Sequence, residues 1–182
     1  MIHGRRARAL LGRLAAGDTE VSKVTWPRSA TRGLVAVASS SRAEEIRFAA
    51  TYALLSLQDR RSLVPLLALA RDRNVPPSVR GMTLEVVGNL LRPSNALTSR
   101  RAQKARRVIA DCLDDDSAEV RYEAVYAVKL GNIRSCKPQL ERLTGDGAYG
   151  RFPETVAGEA KDTLDFFATG KWPDHDPGSP RG

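Results

Sequence analysis

The stretch DDDSAEVRYEAVYAVKLGN, residues 114–132, contains the pattern that decides the fold. It combines a run of acidic residues, a β-branched residue followed by arginine, and an alanine-rich segment. Two other segments align with its second half without gaps. The three aligned segments are residues 45–57, 78–90 and 119–131, which contain the pairs Ile46-Arg47, Val79-Arg80 and Val120-Arg121. A weaker fourth copy starts at Thr155, with Val156 in register and Ala157 where the others have arginine.

The apolar residues of each copy recur at the spacing of an α-helix. In the first copy they occupy positions 46, 49, 50, 53, 54 and 57, on one side of a helix. We call each copy helix B, and the helix-compatible stretch that precedes it helix A. The copies begin 33, 41 and 36 residues apart, and an imperfect period of this size is typical of stacked helical pairs. The sequence therefore predicts an all-α fold, an α-solenoid of about four helix pairs with an extra N-terminal helix.

The same pattern divides the chain into three parts. Residues 30–170 are the predicted repeat array, and residues 1–29 are predicted to form a basic N-terminal helix and a linker. Residues 171–182 are rich in proline, glycine and aspartate and are predicted to be a disordered C-terminal tail. The arginine-rich start is also typical of mitochondrial transit peptides, so a targeting peptide stays an alternative to a part of the fold.

The order of helix, acidic turn, Val-Arg and alanine-rich helix resembles the HEAT repeat, particularly its short bacterial form, over most of residues 30–170. The resemblance implies a solenoid of HEAT-like pairs and favours a bacterial cytoplasmic protein. It implies less about function, because the family includes scaffolds, regulators, chromophore lyases and DNA-repair glycosylases.

The family's ladder of aspartate and arginine implies ion pairs between Asp72 and Arg80 and between Asp114 and Arg121. The first copy has serine in place of the acid, so it has the arginine of the ladder, Arg47, but not the aspartate. Each arginine can also reach the carboxyl end of its own helix A, where backbone carbonyls attract cations. We therefore expect these five residues to have a structural role.

The composition argues against catalysis and metal binding. The 182 residues hold 29 Lys+Arg against 21 Asp+Glu, a net charge of +8, but only His3, His175, Cys112 and Cys136 as histidines and cysteines. Their positions do not predict a zinc site or a catalytic triad. No glycine-rich phosphate loop and no nucleophile motif is found in the sequence. We therefore predict no enzyme activity, no cofactor, no metal and no membrane span, and two reduced cysteines in the cytoplasm.

The B helices of such an array line an extended concave surface, which is its usual binding face. Aligning the copies sorts their non-core positions into three rows. The rows are Phe48, Gly81, Tyr122, Gly158; Tyr52, Glu85, Tyr126, Asp162; and Leu55, Gly88, Lys129, Asp165. Exposed aromatic rings beside charges are favoured at protein interfaces. We therefore predict an adaptor or regulatory module with a protein- or peptide-binding groove formed by Phe48, Tyr52, Glu85, Tyr122, Tyr126 and Lys129. The alternative is that the rings pack between repeats.

Nucleic-acid binding is the alternative function. Arg100, Lys104 and Arg107 share one side of the third helix A, an arrangement suited to phosphate groups. Residues 1–32 add seven basic side chains against Asp18 and Glu20. Binding that falls steeply with salt and ignores changes in the tyrosines would favour nucleic acid over a protein partner.

Overall fold

The computed structural model describes residues 2–40, 42–92, 99–150 and 153–172. These residues contain nine α-helices and, apart from an isolated bridge between Tyr149 and Thr155, no strand pairing. The helices are α1 (Ile2–Ala15), α2 (Thr31–Ala38), α3 (Glu44–Leu57), α4 (Leu63–Arg71), α5 (Pro77–Leu90), α6 (Ser99–Cys112), α7 (Ala118–Leu130), α8 (Lys137–Leu143) and α9 (Val156–Thr169). The predicted all-α class is confirmed.

The helices pack in the order of the chain. The consecutive pairs α2 with α3, α4 with α5, α6 with α7 and α8 with α9 each make contact within the pair. The B helices α3, α5, α7 and α9 also contact their neighbours in that order, and the A helices α4 and α6 contact each other. The three recurring segments therefore form adjacent helices.

Helices α5 and α7 form the centre of the packing and are buried on nearly every side. Their close approach depends on glycine. A Cβ atom at Gly88 would lie 2.8 Å from the Cα of Ala127, and one at Gly81 would lie 2.9 Å from the Cγ of Glu123. Both distances are shorter than the optimal separation of two carbon atoms. A larger residue at Gly88 would therefore push the two backbones apart.

Helix α1 packs onto the first helix pair through its apolar side. Leu10 and Leu14 are buried, and Leu11 fills the space beside Gly33, where a Cβ atom would lie 2.3 Å from the Leu11 Cδ1. The linker that follows is held by Trp26, which is buried and donates its indole N–H to a linker carbonyl at 2.9 Å. The basic N-terminal segment is therefore packed as part of the fold in this structure.

Helix α9 ends at Gly170, whose φ of 71° is the left-handed conformation that glycine adopts without strain. After it, Trp172 packs against Phe166 with their ring centroids 5.1 Å apart, so this tryptophan covers part of the last helix pair. Residues 173–182, most of the predicted disordered tail, lie outside the described residues, as do residues 93–98 between α5 and α6.

Candidate functional site

The middle of the three predicted rows reaches solvent. Tyr52 is 40% exposed, and Glu85, Tyr126 and Asp162 at the matching positions of the next three B helices are partly exposed. We call these four residues the tyrosine row. The B helices pack side by side, so an inner B helix contacts a neighbour on each of two sides. The tyrosine row lies between these two sides and therefore points away from both neighbouring helices.

Two residues of the predicted groove are buried, and the expectation that they are exposed is wrong. Tyr122 is 5% exposed and Lys129 is 1% exposed. Both belong to the outer rows and enter interhelix contacts, because α7 is packed between α5 and α9. Asp165, in the same row as Lys129 but on the last B helix, is exposed. Phe48, also in an outer row, is half-buried against the core. The predicted groove residues that reach solvent are therefore Tyr52, Glu85 and Tyr126 of the tyrosine row, and Phe48 is partly exposed as well.

Tyr122 connects α7 to the segment before α9. Its hydroxyl donates to the Oε2 of Glu154 at 2.8 Å. Burial raises the pKa of the Tyr122 phenol far above its ordinary range, and the carboxylates of Glu159 and Glu154 raise it further. The phenol therefore stays neutral, and its hydrogen bond joins the buried side of α7 to the exposed Glu154 in the segment before α9.

Lys129 lies at the centre of a buried cluster. Its Nζ is 2.7 Å from the Oε1 of Glu159, and the hydroxyl of Thr163 donates to the same oxygen at 3.5 Å. The ring centroids of Tyr126 and Trp172 are 5.1 and 5.6 Å from the ammonium, which are distances of cation–π contacts. Lys129 therefore joins α7 to α9 and to the residue that covers the last pair.

The three recurring arginines each bind the carboxyl end of their own helix A or the turn after it. The contacts are Arg47 Nε to the Ala38 carbonyl at 3.0 Å, Arg80 Nε to the Ala70 carbonyl at 3.2 Å, and Arg121 Nη1 to the Asp115 carbonyl at 2.8 Å. The last carbonyls of a helix have no partner within it. Arg47 and Arg80 supply the missing donors, and Arg121 binds a carbonyl of the turn after α6.

The acid paired with Arg80 is Asp115, and the predicted partner Asp72 is wrong. The two side chains form a buried two-point ion pair, in which one nitrogen–oxygen distance is 3.3 Å. The carboxylate of Asp115 also accepts the backbone N–H of Ser117 at 3.0 Å. Burial acts to raise the pKa of Asp115, but the hydrogen bonds from Arg80 and Ser117 outweigh it and the pKa is lowered. Asp72 instead accepts the backbone N–H of Asn74 at 3.0 Å.

Arg121 forms the same kind of ion pair one helix pair further along the chain. Its Nε is 2.8 Å from the Oδ2 of Asp146, whereas the predicted partner Asp114 pairs with Arg142 at 3.1 Å on the surface. Asp146 also accepts the backbone N–H of Ala148 at 3.1 Å. The hydrogen bond from Arg121 lowers the pKa of Asp146. The acid therefore comes from the turn of the following pair, so the ladder joins neighbouring pairs.

The first arginine lacks this ion pair. Arg47 and Asp72 line a cavity of about 440 Å³ together with Ser39 and Ser40. Among the described residues no carboxylate lies within ion-pair distance of Arg47. We call each ion pair between a recurring arginine and a turn aspartate a rung of the ladder. Arg80 and Arg121 each form a rung, and Arg47 does not.

Helix α6 presents its basic residues to solvent. Arg100, Lys104 and Arg107 are exposed, as are Arg101 and Arg106. The residues buried on its other side are Ala102, Ala105, Val108, Ile109 and Cys112. Within the described part of the chain, no carboxylate forms an ion pair with any of the five cations.

The described residues contain no group of three or more His, Cys, Asp and Glu side chains arranged to hold a metal ion. Cys112 and Cys136 are free and buried. Burial raises the pKa of Cys112 to about 11, so its thiol is protonated and unreactive at neutral pH. His175 and the side chain of His3 lie outside the described residues. None of the described helices combines the length and the apolar composition needed to cross a bilayer.

Two surfaces of the described residues therefore stand out as candidate binding sites. The tyrosine row lies on the B helices, and the five exposed cations lie on the A helix α6. The ladder and the Lys129 cluster lie between helices and support the fold. No protein-family model matches this chain, and comparison with the curated proteins finds no match.

Proposed function

We propose that the chain is an α-solenoid of HEAT-like repeats that acts as a non-catalytic adaptor or regulatory module and binds a protein or peptide. The order of the four helix pairs and the two rungs that join neighbouring pairs support the solenoid. The two unpaired thiols support a cytoplasmic location, and the short repeats support a bacterial origin.

The tyrosine row is the observation that carries the binding proposal. Its four side chains come from four successive B helices and reach solvent at the same position of each. Tyrosine offers a large, rigid contact area with a polar tip, and protein interfaces are enriched in it. Glu85 and Asp162 alternate with the tyrosines and add charges that select a partner by complementarity. A row that crosses four helices suits an extended segment of a partner protein.

The buried cluster below the row strengthens the proposal. The ammonium of Lys129 lies 5.1 Å from the ring centroid of Tyr126 and is itself held by Glu159. A ring fixed in this way loses little further freedom when a partner binds, which favours affinity. Lys129 thus supports the surface from inside, whereas the sequence predicted that it would be a part of it.

Site-specific photocrosslinking tests the proposal. A photoreactive phenylalanine analogue replaces Tyr52 in the full chain, which is then irradiated in a cell lysate treated with nuclease. Val64 is the matched control position, because it is 55% exposed and lies on the A helix α4, away from the row. We expect a protein adduct at position 52 that is absent at position 64 and is reduced when Tyr126→Ala is added. The same adducts from both positions, or no adduct at position 52, would contradict the proposal.

A further inference from the structure

Helix α6 carries a second surface, separate from the tyrosine row. Arg100, Lys104 and Arg107 occupy positions i, i+4 and i+7, and therefore follow one side of the helix over about 10 Å. Arg101 and Arg106 flank them, and all five side chains are exposed. We call these five residues the basic face.

The acidic residues at the end of α6 and in the turn after it are already paired with other cations. The pairs are Asp111 with Arg71 at 2.7 Å, Asp114 with Arg142 at 3.1 Å, and Asp116 with Arg73. Within the described residues, therefore, nearby carboxylates do not neutralise the basic face. Its five charges are available to an external polyanion.

The surroundings of the basic face decide between classes of polyanion. An amphipathic helix binds a membrane surface by burying its apolar side in the lipid, but the apolar side of α6 is buried in the core. Single-stranded nucleic acid is held by exposed aromatic rings on which bases stack. The exposed aromatic side chains of the described residues, Tyr52 and Tyr149, lie outside α6. Double-stranded RNA is recognised partly through its 2′-hydroxyls. Gln103 is the one uncharged polar side chain described on the exposed side of α6 that could contact them, and this favours DNA over RNA.

We infer that the basic face binds double-stranded DNA through its phosphate backbone and does not read the base sequence. Guanidinium and ammonium groups spaced along one side of a helix match a regular line of phosphates. The tyrosine row lies on the other helices of the pairs, so DNA and a protein partner would occupy separate surfaces. The inference does not depend on the protein-binding proposal, because its residues, ligand and test are different.

Fluorescence anisotropy of the full chain with a labelled duplex DNA of about 24 base pairs, between about 50 and 200 mM salt, tests the inference. We expect two duplexes of unrelated sequence to bind equally well. The double variant Lys104→Gln, Arg107→Gln should weaken binding roughly tenfold or more and lower the slope of log affinity against log salt by about two, because two phosphate contacts are lost. The matched control is Lys161→Gln, Lys171→Gln, which removes the same charge from exposed positions outside α6 and should leave affinity nearly unchanged.

Each other outcome of this experiment overturns the inference. Failure to bind either duplex at the lowest salt would do so, as would equal weakening by the two double variants, which indicates attraction to net charge alone. Tighter binding of a single strand or of an RNA duplex of the same length would assign the face to RNA or to single strands. Complete displacement of the duplex by polyglutamate at equal charge would assign it to an acidic protein. Circular dichroism spectra that match the wild type show that the variants are folded.

Discussion

Helices α6 and α7 are consecutive in the chain and similar in length, yet they place their cations in opposite environments. On α6, Lys104 is exposed and forms no ion pair within the described residues. On α7, Lys129 is 1% exposed and lies 2.7 Å from Glu159. Lys104 lies between Gln103 and Ala105 in a strongly basic segment, whereas Lys129 lies between Val128 and Leu130 in an apolar one.

The difference follows from the number of neighbouring helices. Helix α6 packs against α4 and α7 and keeps one side in water, whereas α7 is surrounded by α5, α6 and α9. An unpaired charge inside a protein costs several kcal/mol, so a lysine on α7 requires a carboxylate and one on α6 does not. The position of a helix in the packing, more than the residue type, therefore decides whether a cation is structural or available for binding.

The largest loss of stability is expected when Lys129 is replaced. Lys129→Met should lower the free energy of unfolding by about 3–5 kcal/mol, because it removes the cation that pairs with the buried Glu159 carboxylate. Methionine is unbranched and flexible enough to fill the space, so the loss reports the charge rather than a cavity. Urea unfolding followed by circular dichroism measures it.

The control for this variant is Lys129→Met combined with Glu159→Leu. Removing both charges should recover most of the lost stability, because apolar residues of similar volume often replace a buried ion pair without cost. Wild-type stability of the single variant would mean that Lys129 is solvated like Lys104, and the contrast between the two helices would be wrong.

A smaller loss of stability is expected at the buried pair formed by Arg80 of α5 and Asp115. Asp115→Asn tests whether a cation on another B helix also depends on its buried carboxylate. The loss of the charged hydrogen bonds to Arg80 should cost about 1.5–3 kcal/mol at neutral pH. The folded pKa of Asp115 is below its ordinary value of 3.8, so its contribution is complete above that pH and is lost as the pH falls through the folded pKa.

The stability of the Asp115→Asn variant and of the wild type should therefore converge in acid. Urea unfolding at a series of pH values between neutral and strongly acidic follows this convergence. Asp111→Asn is the matched control, since Asp111 forms an exposed pair with Arg71, which contributes little in water. A difference that is constant with pH would show that the charge of Asp115 is not what stabilises the fold.

The smallest effect is expected on α6. Lys104→Gln and Arg107→Gln should each leave the midpoint of urea unfolding within the error of the measurement, because both side chains are exposed and neither forms an ion pair in the described residues. A clear loss of stability would mean that the basic face supports the fold, which would argue against a binding role for α6.

The arginines of the ladder show how far the sequence predicted the contacts. A β-branched residue followed by arginine marks the start of a helix, and that signal correctly placed all three arginines near the preceding carbonyls. The acids were assigned to the wrong turn, because they lie 35 residues from Arg80 and 25 residues from Arg121. Ion pairs at such separations depend on how neighbouring helix pairs stack.

The groove residues contain a signal that separates buried from exposed positions. In the first row every residue is aromatic or glycine, and the third row contains Leu55, Gly88 and Lys129 and ends in Asp165, which is exposed on the last B helix. These apolar and small residues indicate interhelix contacts. The middle row carries tyrosine or a carboxylate in every copy, and the structure leaves this row in contact with solvent.

The all-α class, the order of the helices and the basic character of α6 were all predictable from the sequence. These depend on the spacing of apolar residues and on composition, which are local properties of the chain. The packing of the helices was needed to show which acid completes each rung, that Tyr122 and Lys129 are interior, and that the basic side of α6 stays unpaired within the described residues. Each of these depends on the distance between side chains that are far apart in sequence, and burial changes the energy of a charge far more than its sequence neighbours do.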